Sequence, residues 1–136
     1  MAKRASAKRS APSLSSSEAV ATVAVSDLDR ARSFYEGTLG LEEVSSEGEE
    51  AVNYKTGKSQ LLVYRSQLAG TNEATAATWV NSDVDGLVTE LKSRGVSFER
   101  YDMPDVEHDG DVHVFGEMRA AWFKDPDGNI LALVSQ

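Results

Sequence analysis

Small and β-branched residues run from Ala19 to Val25 as in a buried strand, and the apolar positions that follow, Leu28, Ala31, Phe34, Tyr35 and Leu39, take the i, i+3, i+4 spacing of a one-faced helix. Ser26 or Asp27 caps that helix and Gly40 supplies a left-handed stop. Three shorter runs follow as strands, Leu41–Ser46, Ala51–Tyr54 and Ser59–Arg65, parted by the turn-forming pairs Glu47-Gly48 and Thr56-Gly57. After a polar bridge, Ser66–Glu73, the order returns. The pattern predicts a strand over Thr75–Asn81, then a helix from Asp83 with Val84, Leu87, Val88 and Leu91 on one face and Gly95 at its end. A strand Val96–Tyr101, a long acidic loop Asp102–Asp111, and a hairpin of Met118–Lys124 with Ile130–Ser135 complete the chain. The hairpin turns through Asp125-Pro126-Asp127-Gly128-Asn129.

The phrase Ser26-Asp27-Leu28-Asp29 comes back 56 residues on as Ser82-Asp83-Val84-Asp85, each copy closing a strand and opening a helix. The chain reads as an internal duplication, two tandem β-α-β-β-β modules over residues 18–66 and 74–136 of one α+β domain. Two such units packed about a pseudo-twofold share a cleft, and the residues facing it decide its chemistry.

A chain of 136 residues, 40% hydrophobic, closes a modest core without disulfides or a structural metal. It has no cysteine, which removes thiol nucleophiles, cysteine metal sites and disulfides. No apolar run approaches bilayer length, so a soluble, cytoplasmic protein without a membrane partner is expected. The net charge of −8 is uneven: Lys3, Arg4, Lys8 and Arg9 crowd the start, leaving ten basic residues against 22 acidic ones in the remainder. So acidic a body repels nucleic acid, which is held mainly by phosphate neutralisation. The Ser/Ala-rich segment 1–17 lacks apolar periodicity and reads as a disordered basic tail, with an organelle-targeting peptide as the alternative.

Two motifs carry a resemblance to a known family: Val25-Ser26-Asp27-Leu28-Asp29-Arg30 with Phe34-Tyr35 and Leu39-Gly40, and Trp122-Phe123-Lys124-Asp125-Pro126-Asp127-Gly128-Asn129. Over Ala19–Gln136 the chain resembles the vicinal oxygen chelate superfamily of glyoxalases, extradiol dioxygenases, fosfomycin-resistance enzymes and bleomycin-binding resistance proteins. The resemblance implies a curled eight-stranded mixed sheet, a cup with both helices outside, and commonly a homodimer. It also implies a divalent metal on cup-facing strands. The matching ligand positions hold Val20, Ala76 and Ala132, with the fourth near Leu61–Val63. None of these side chains offers an N, O or S donor, so the resemblance points to the metal-free branch that binds or sequesters small molecules.

Strand alternation then sends Thr22, Ala24, Thr78, Val80, Ile130 and Val134 to the same cup face as Val20, Ala76 and Ala132. A five-residue turn pairs Lys124 with Ile130 and sets Trp122 opposite Ala132, inside the cup, where alanine leaves room for a flat ligand to stack; a slip of one residue presents Phe123 instead. The expected ligand-binding residues are Val20, Thr22, Ala76, Thr78, Trp122 and Ala132, with no metal, no cofactor and no catalytic residue. Trp79 points outward into the core beneath a helix, and Tyr64, Tyr101, Met103 and Met118 are rim candidates. Glu107-His108-Asp109 and His113 read as a hydrated acidic loop, because their spacing suits neither one helical face nor one strand face. The functional expectation is metal-independent binding of an apolar or aromatic small molecule, with cations favoured by the acidic body. The alternatives are a lyase, isomerase or dioxygenase using His108, His113, Glu107 or Glu117, and a structural module whose cup is only a dimer core.

Overall fold

The computed structural model describes residues 12–135. The readings of segment 1–17 as disorder or as a targeting peptide fall mostly outside these residues. Of the described part, Leu14–Ser16 forms one exposed 3-10 turn capped by the Ser13 hydroxyl. No helix among the described residues is long and apolar enough to cross a membrane.

The first module contains β1 (Ala21–Val25), α1 (Leu28–Arg32), β2 (Glu42–Glu47), β3 (Ala51–Thr56) and β4 (Ser59–Arg65). The second contains β5 (Thr75–Val80), α2 (Val84–Ser93), β6 (Phe98–Glu99), β7 (Glu107–Asp109), β8 (Val112–Phe115), β9 (Met118–Lys124) and β10 (Ile130–Val134). Each module orders its strands alike, β1-β4-β3-β2 and β5-β10-β9-β8-β7, with β1 parallel to β4, β5 parallel to β10, and β6 alongside β9. The α+β architecture is as expected, but the eight strands of one mixed sheet become ten in two ladders, which meet where β1 lies beside β5. The extra strands, β7 and β8, lie within and directly after the acidic loop. Gly110 at φ 65° lets Gly110-Asp111 make a two-residue turn, so β7 and β8 pair as a hairpin, and the strand expected over Val96–Tyr101 shrinks to β6.

Both helices start at the aspartates of the repeated phrase. The Asp27 carboxylate accepts from the Arg30 N–H at 3.1 Å and the Asp83 carboxylate from the Gly86 N–H at 2.9 Å. Asp27, not Ser26, is the first cap. The repeat is not uniform, however: the two serines stand 56 residues apart and the two helix-ending glycines, Gly40 and Gly95, stand 55 apart. The first helix absorbs its additional residue as a π turn over Ser33–Thr38, in which the Leu39 N–H reaches the Phe34 carbonyl at 2.9 Å.

One core joins the modules. Val23, Val25, Val52, Tyr54, Leu61 and Val63 of the first sheet and Ala77, Ala121, Phe123, Leu131 and Leu133 of the second are buried beneath Ala31, Tyr35, Val88 and Leu91 of the helices. Phe123 sits centrally, its ring 5.5 Å from Phe98, 6.3 Å from Trp79 and 6.4 Å from Phe34. Trp79 therefore packs under the helices as expected, and its N–H donates to the Thr56 hydroxyl at 2.9 Å.

The turn Asp125–Asn129 fastens one module to the other. One Asp125 carboxylate oxygen accepts from the Asp127 and Asn129 N–H groups; the other accepts from the Tyr35 hydroxyl at 2.7 Å and the Asn129 amide at 2.8 Å. The Asn129 amide also donates to the Ala24 carbonyl, and Asp127 accepts from the Ser26 N–H, the Ser26 hydroxyl and Arg30. Burial and the adjacent Asp125 charge push the Tyr35 phenol far above its usual range, so it is a permanent donor. The two sequence motifs are thus the two halves of one structural clasp.

Candidate functional site

The face opposite the helices is set by strand register. Thr78, Ala132 and Trp122 lie abreast across β5, β10 and β9; two residues on, Val80, Val134, Ala120, His113 and His108 form a second row across β5, β10, β9, β8 and β7. The pairings Lys124 with Ile130 and Trp122 with Ala132 are those expected from a five-residue turn. On the first sheet the alternate positions Thr22, Ala24, Leu62 and Tyr64 share this side, while Val23, Leu61 and Val63 turn into the core.

The positions where the resemblance implies metal ligands do not suit a metal. Ala132 is 2% exposed, Val20 precedes β1 at 42% exposure, and Ala76 is the additional residue at a register shift between β5 and β10. Carbon and hydrogen are all that these side chains present. The neighbouring Thr22 hydroxyl donates back to the Val20 carbonyl at 3.1 Å. Among the described residues no group of three or more His, Cys, Asp or Glu side chains is placed to hold an ion. A divalent cation needs such donors, so this set does not fit one.

Thr22 and Ala76 come together in a cavity of about 320 Å³ between the sheets, with Ala24, Tyr64, Leu68, Asn72 and Asn129 also lining it. Of the rim candidates, Tyr64 reaches this wall. Leu68 and Asn72 belong to the segment read as a polar bridge, and Leu68, its one large apolar residue, was the available signal. Val20, Trp122 and Ala132 are not in its wall, and Thr78 lines a different cleft, together with Trp79 and Leu87. The Trp122 indole crosses β10 and donates to the Thr75 hydroxyl on β5 at 3.2 Å, which covers Ala132 and fills the space expected there for a flat ligand. Thr75 in turn directly precedes Ala76, which links the indole to the cavity wall.

The histidines require a correction. They form no loop: His108 and His113 face each other across the β7–β8 hairpin with rings 4.5 Å apart, and while Glu107, His108 and Asp109 stay exposed, His113 is fully buried. Spacing alone hid this, because the two become neighbours only once Gly110-Asp111 is recognised as a turn. His113 stands 4.8 Å from Trp122, ring perpendicular to ring, and Tyr101 closes the cluster at 5.5 Å from Trp122. The Tyr101 backbone holds both imidazoles: its N–H donates to His113 Nε2 at 2.9 Å and its carbonyl accepts from His108 Nε2 at 3.2 Å. That assignment places the His113 proton on Nδ1, which is buried without a hydrogen-bond partner. The lone pair of His113 Nε2 is taken by the Tyr101 N–H, so that imidazole is not set up as a general base. Met103 is half-buried and Met118 exposed; both stand apart from the cavity wall.

Burial, and secondarily the His108 charge, lowers the His113 pKa from its usual 6.5. Neutral His113 therefore supports the fold above about pH 6.5, and stability falls as pH drops below that value because the unfolded chain takes the proton first. The wild-type melting temperature should decline between pH 7 and 5.5, and His113→Gln should flatten that slope. A wild-type curve already flat over this interval would contradict the assignment.

The sequence matches the Glyoxalase/Bleomycin resistance protein/Dioxygenase superfamily over residues 19–133. No curated protein matches it. Among solved structures, lactoylglutathione lyase from Agrobacterium tumefaciens is 21% identical with a TM-score of 0.66, covering 88% of this chain and 93% of that one. The fosfomycin resistance protein FosX from Listeria monocytogenes is 18% identical at TM-score 0.65, covering 89% and 93%. A glyoxalase family protein from Enterococcus faecalis is 18% identical at TM-score 0.66, covering 88% and 97%. At these identities the likeness is one of fold, and the match over residues 19–133 carries the assignment: the chain belongs to the Glyoxalase/Bleomycin resistance protein/Dioxygenase superfamily.

Proposed function

We propose that the chain binds a small apolar or aromatic molecule without a metal, in the cavity lined by Thr22, Tyr64, Leu68 and Ala76. The observation that carries this reading is the mismatch between the family's chemistry and this chain's side chains. The cavity wall is apolar with a few hydroxyl and amide groups, Thr22, Tyr64, Asn72 and Asn129, the ordinary composition of a small-molecule pocket. At about 320 Å³ it suits a molecule of one or two rings. Trp122, hydrogen-bonded to the residue before Ala76, is the flanking aromatic. A homodimer in the cytoplasm belongs to the same proposal: β2 is an exposed edge strand along its whole length, and Tyr64 and Val80 are exposed on the face away from the helices.

Native mass spectrometry of protein purified from its own host reads ligand, metal and stoichiometry together. The expected result is a dimer carrying an organic molecule and no transition metal. Near-stoichiometric zinc, iron, nickel or manganese would refute the metal-free reading.

A further inference from the structure

The two hairpin turns related by the internal repeat are unequal, and the difference leaves a cleft. Between β9 and β10 the five-residue turn Asp125–Asn129 packs onto the end of β1 and onto Tyr35 of the other module. Its counterpart between β3 and β4 is only Gly57-Lys58, since Thr56 pairs with Ser59. This shorter turn faces the matching place on the second module, where Trp79, Asn81 and Leu91 stand 56 residues after Val23, Val25 and Tyr35. The seat that a longer turn fills at one end is, at the other, a cleft of about 520 Å³.

Its walls are mostly apolar: Leu39 and Leu41 from the first module, Trp79, Leu87, Leu91 and Phe123 from the second. The Trp79 N–H is already bonded to Thr56, so the indole offers its apolar surface. Lys58 is the one charged residue among those lining the cleft; it is exposed and makes no ion pair among the described residues. In a chain of net charge −8, an apolar cleft whose single charge is a free ammonium selects against cations. We propose that this cleft is a second binding site, distinct from the cavity on the opposite face, for an amphipathic carboxylate: an apolar chain or ring seated on Trp79 and Leu87 with its anionic head at Lys58.

The probe is decanoate, titrated into a Trp122→Phe variant so that Trp79 is the remaining tryptophan. The expected result is a saturable change in Trp79 emission with one site per chain. Lys58 lies in an exposed turn, so Lys58→Glu leaves the fold intact; it should weaken decanoate about fivefold and strengthen decyltrimethylammonium by a similar factor, the range of an exposed charge contact. Methyl NMR of the wild-type chain gives the same readout without Trp122→Phe, since Leu87 and Leu91 resonances should shift with decanoate. Unchanged Trp79 emission, equal decanoate affinity in Lys58→Glu, or shifts confined to Leu62 and Leu68 on the other face would each overturn the proposal. So would a Trp79 signal that follows protein concentration instead of decanoate, which would assign the cleft to a second copy.

Discussion

Asp125→Ala will destabilise the protein by about 4 kcal/mol, because the buried carboxylate accepts four hydrogen bonds at once and charged acceptors contribute more than neutral ones. Its removal strands the buried Tyr35 hydroxyl and leaves two turn N–H groups without their acceptor. Tyr35→Phe removes one donor and leaves Asp125 its other three, so it should cost only about 1.5 kcal/mol. In the double variant the losses should not add, since both act on one hydrogen bond. Urea unfolding at neutral pH measures all three. A loss below about 1 kcal/mol for Asp125→Ala would mean that packing alone holds the modules together.

Ala132→Glu puts a carboxylate donor at a position where the family resemblance implies a metal ligand, yet it should yield a damaged protein and no metal site. Ala132 is buried beneath the Trp122 indole, with Thr78 and Trp122 as its lateral neighbours. A carboxylate there meets no cation, so burial would raise its pKa, and the added volume would displace the indole; together these cost at least about 3 kcal/mol. Val20 and Ala76 supply no further donors, whereas catalytic sites typically use three protein ligands. The measurement is thermal melting with and without zinc, nickel or manganese. Melting should fall sharply, and no metal should raise it. Recovery by metal would show donors facing Ala132 that the strand registers exclude.

Residues whose neighbours are fixed by local rules were legible in the sequence. The Asp125–Asn129 turn fixed the β9–β10 register, so Trp122 opposite Ala132 followed by counting. Alternation separated Trp79 and Val23 from Thr78 and Thr22. What escaped depends on contacts that counting along one strand cannot reveal. His108 and His113 meet across a turn that looked like flexible loop, and Tyr101, far from either in pattern, holds both. The space above Ala132 was expected to be open because the reach of the Trp122 side chain over β10 depends on a rotamer, not on register. Leu68 and Asn72 entered the cavity wall from a bridge whose one large apolar residue is Leu68 and which therefore reads as solvated. The π turn, in contrast, was available all along, in the one-residue difference between serine and glycine spacings.

The clasp between Asp125 and Tyr35 also governs the order in which this protein can be completed during synthesis. Its partners are 90 residues apart, and those joining Ser26 to Asp127 are 101 apart. When the first module leaves the ribosome, the π turn after α1 already carries a phenol whose buried acceptor has not yet been translated. The first module must therefore wait, with Tyr35 and the edge of β1 uncovered, until the last hairpin emerges, although by sequence it is a complete repeat unit. The two halves order their strands alike, yet the clasp makes the earlier one dependent on the later, so the exposed interval lengthens with every pause in translating the second half.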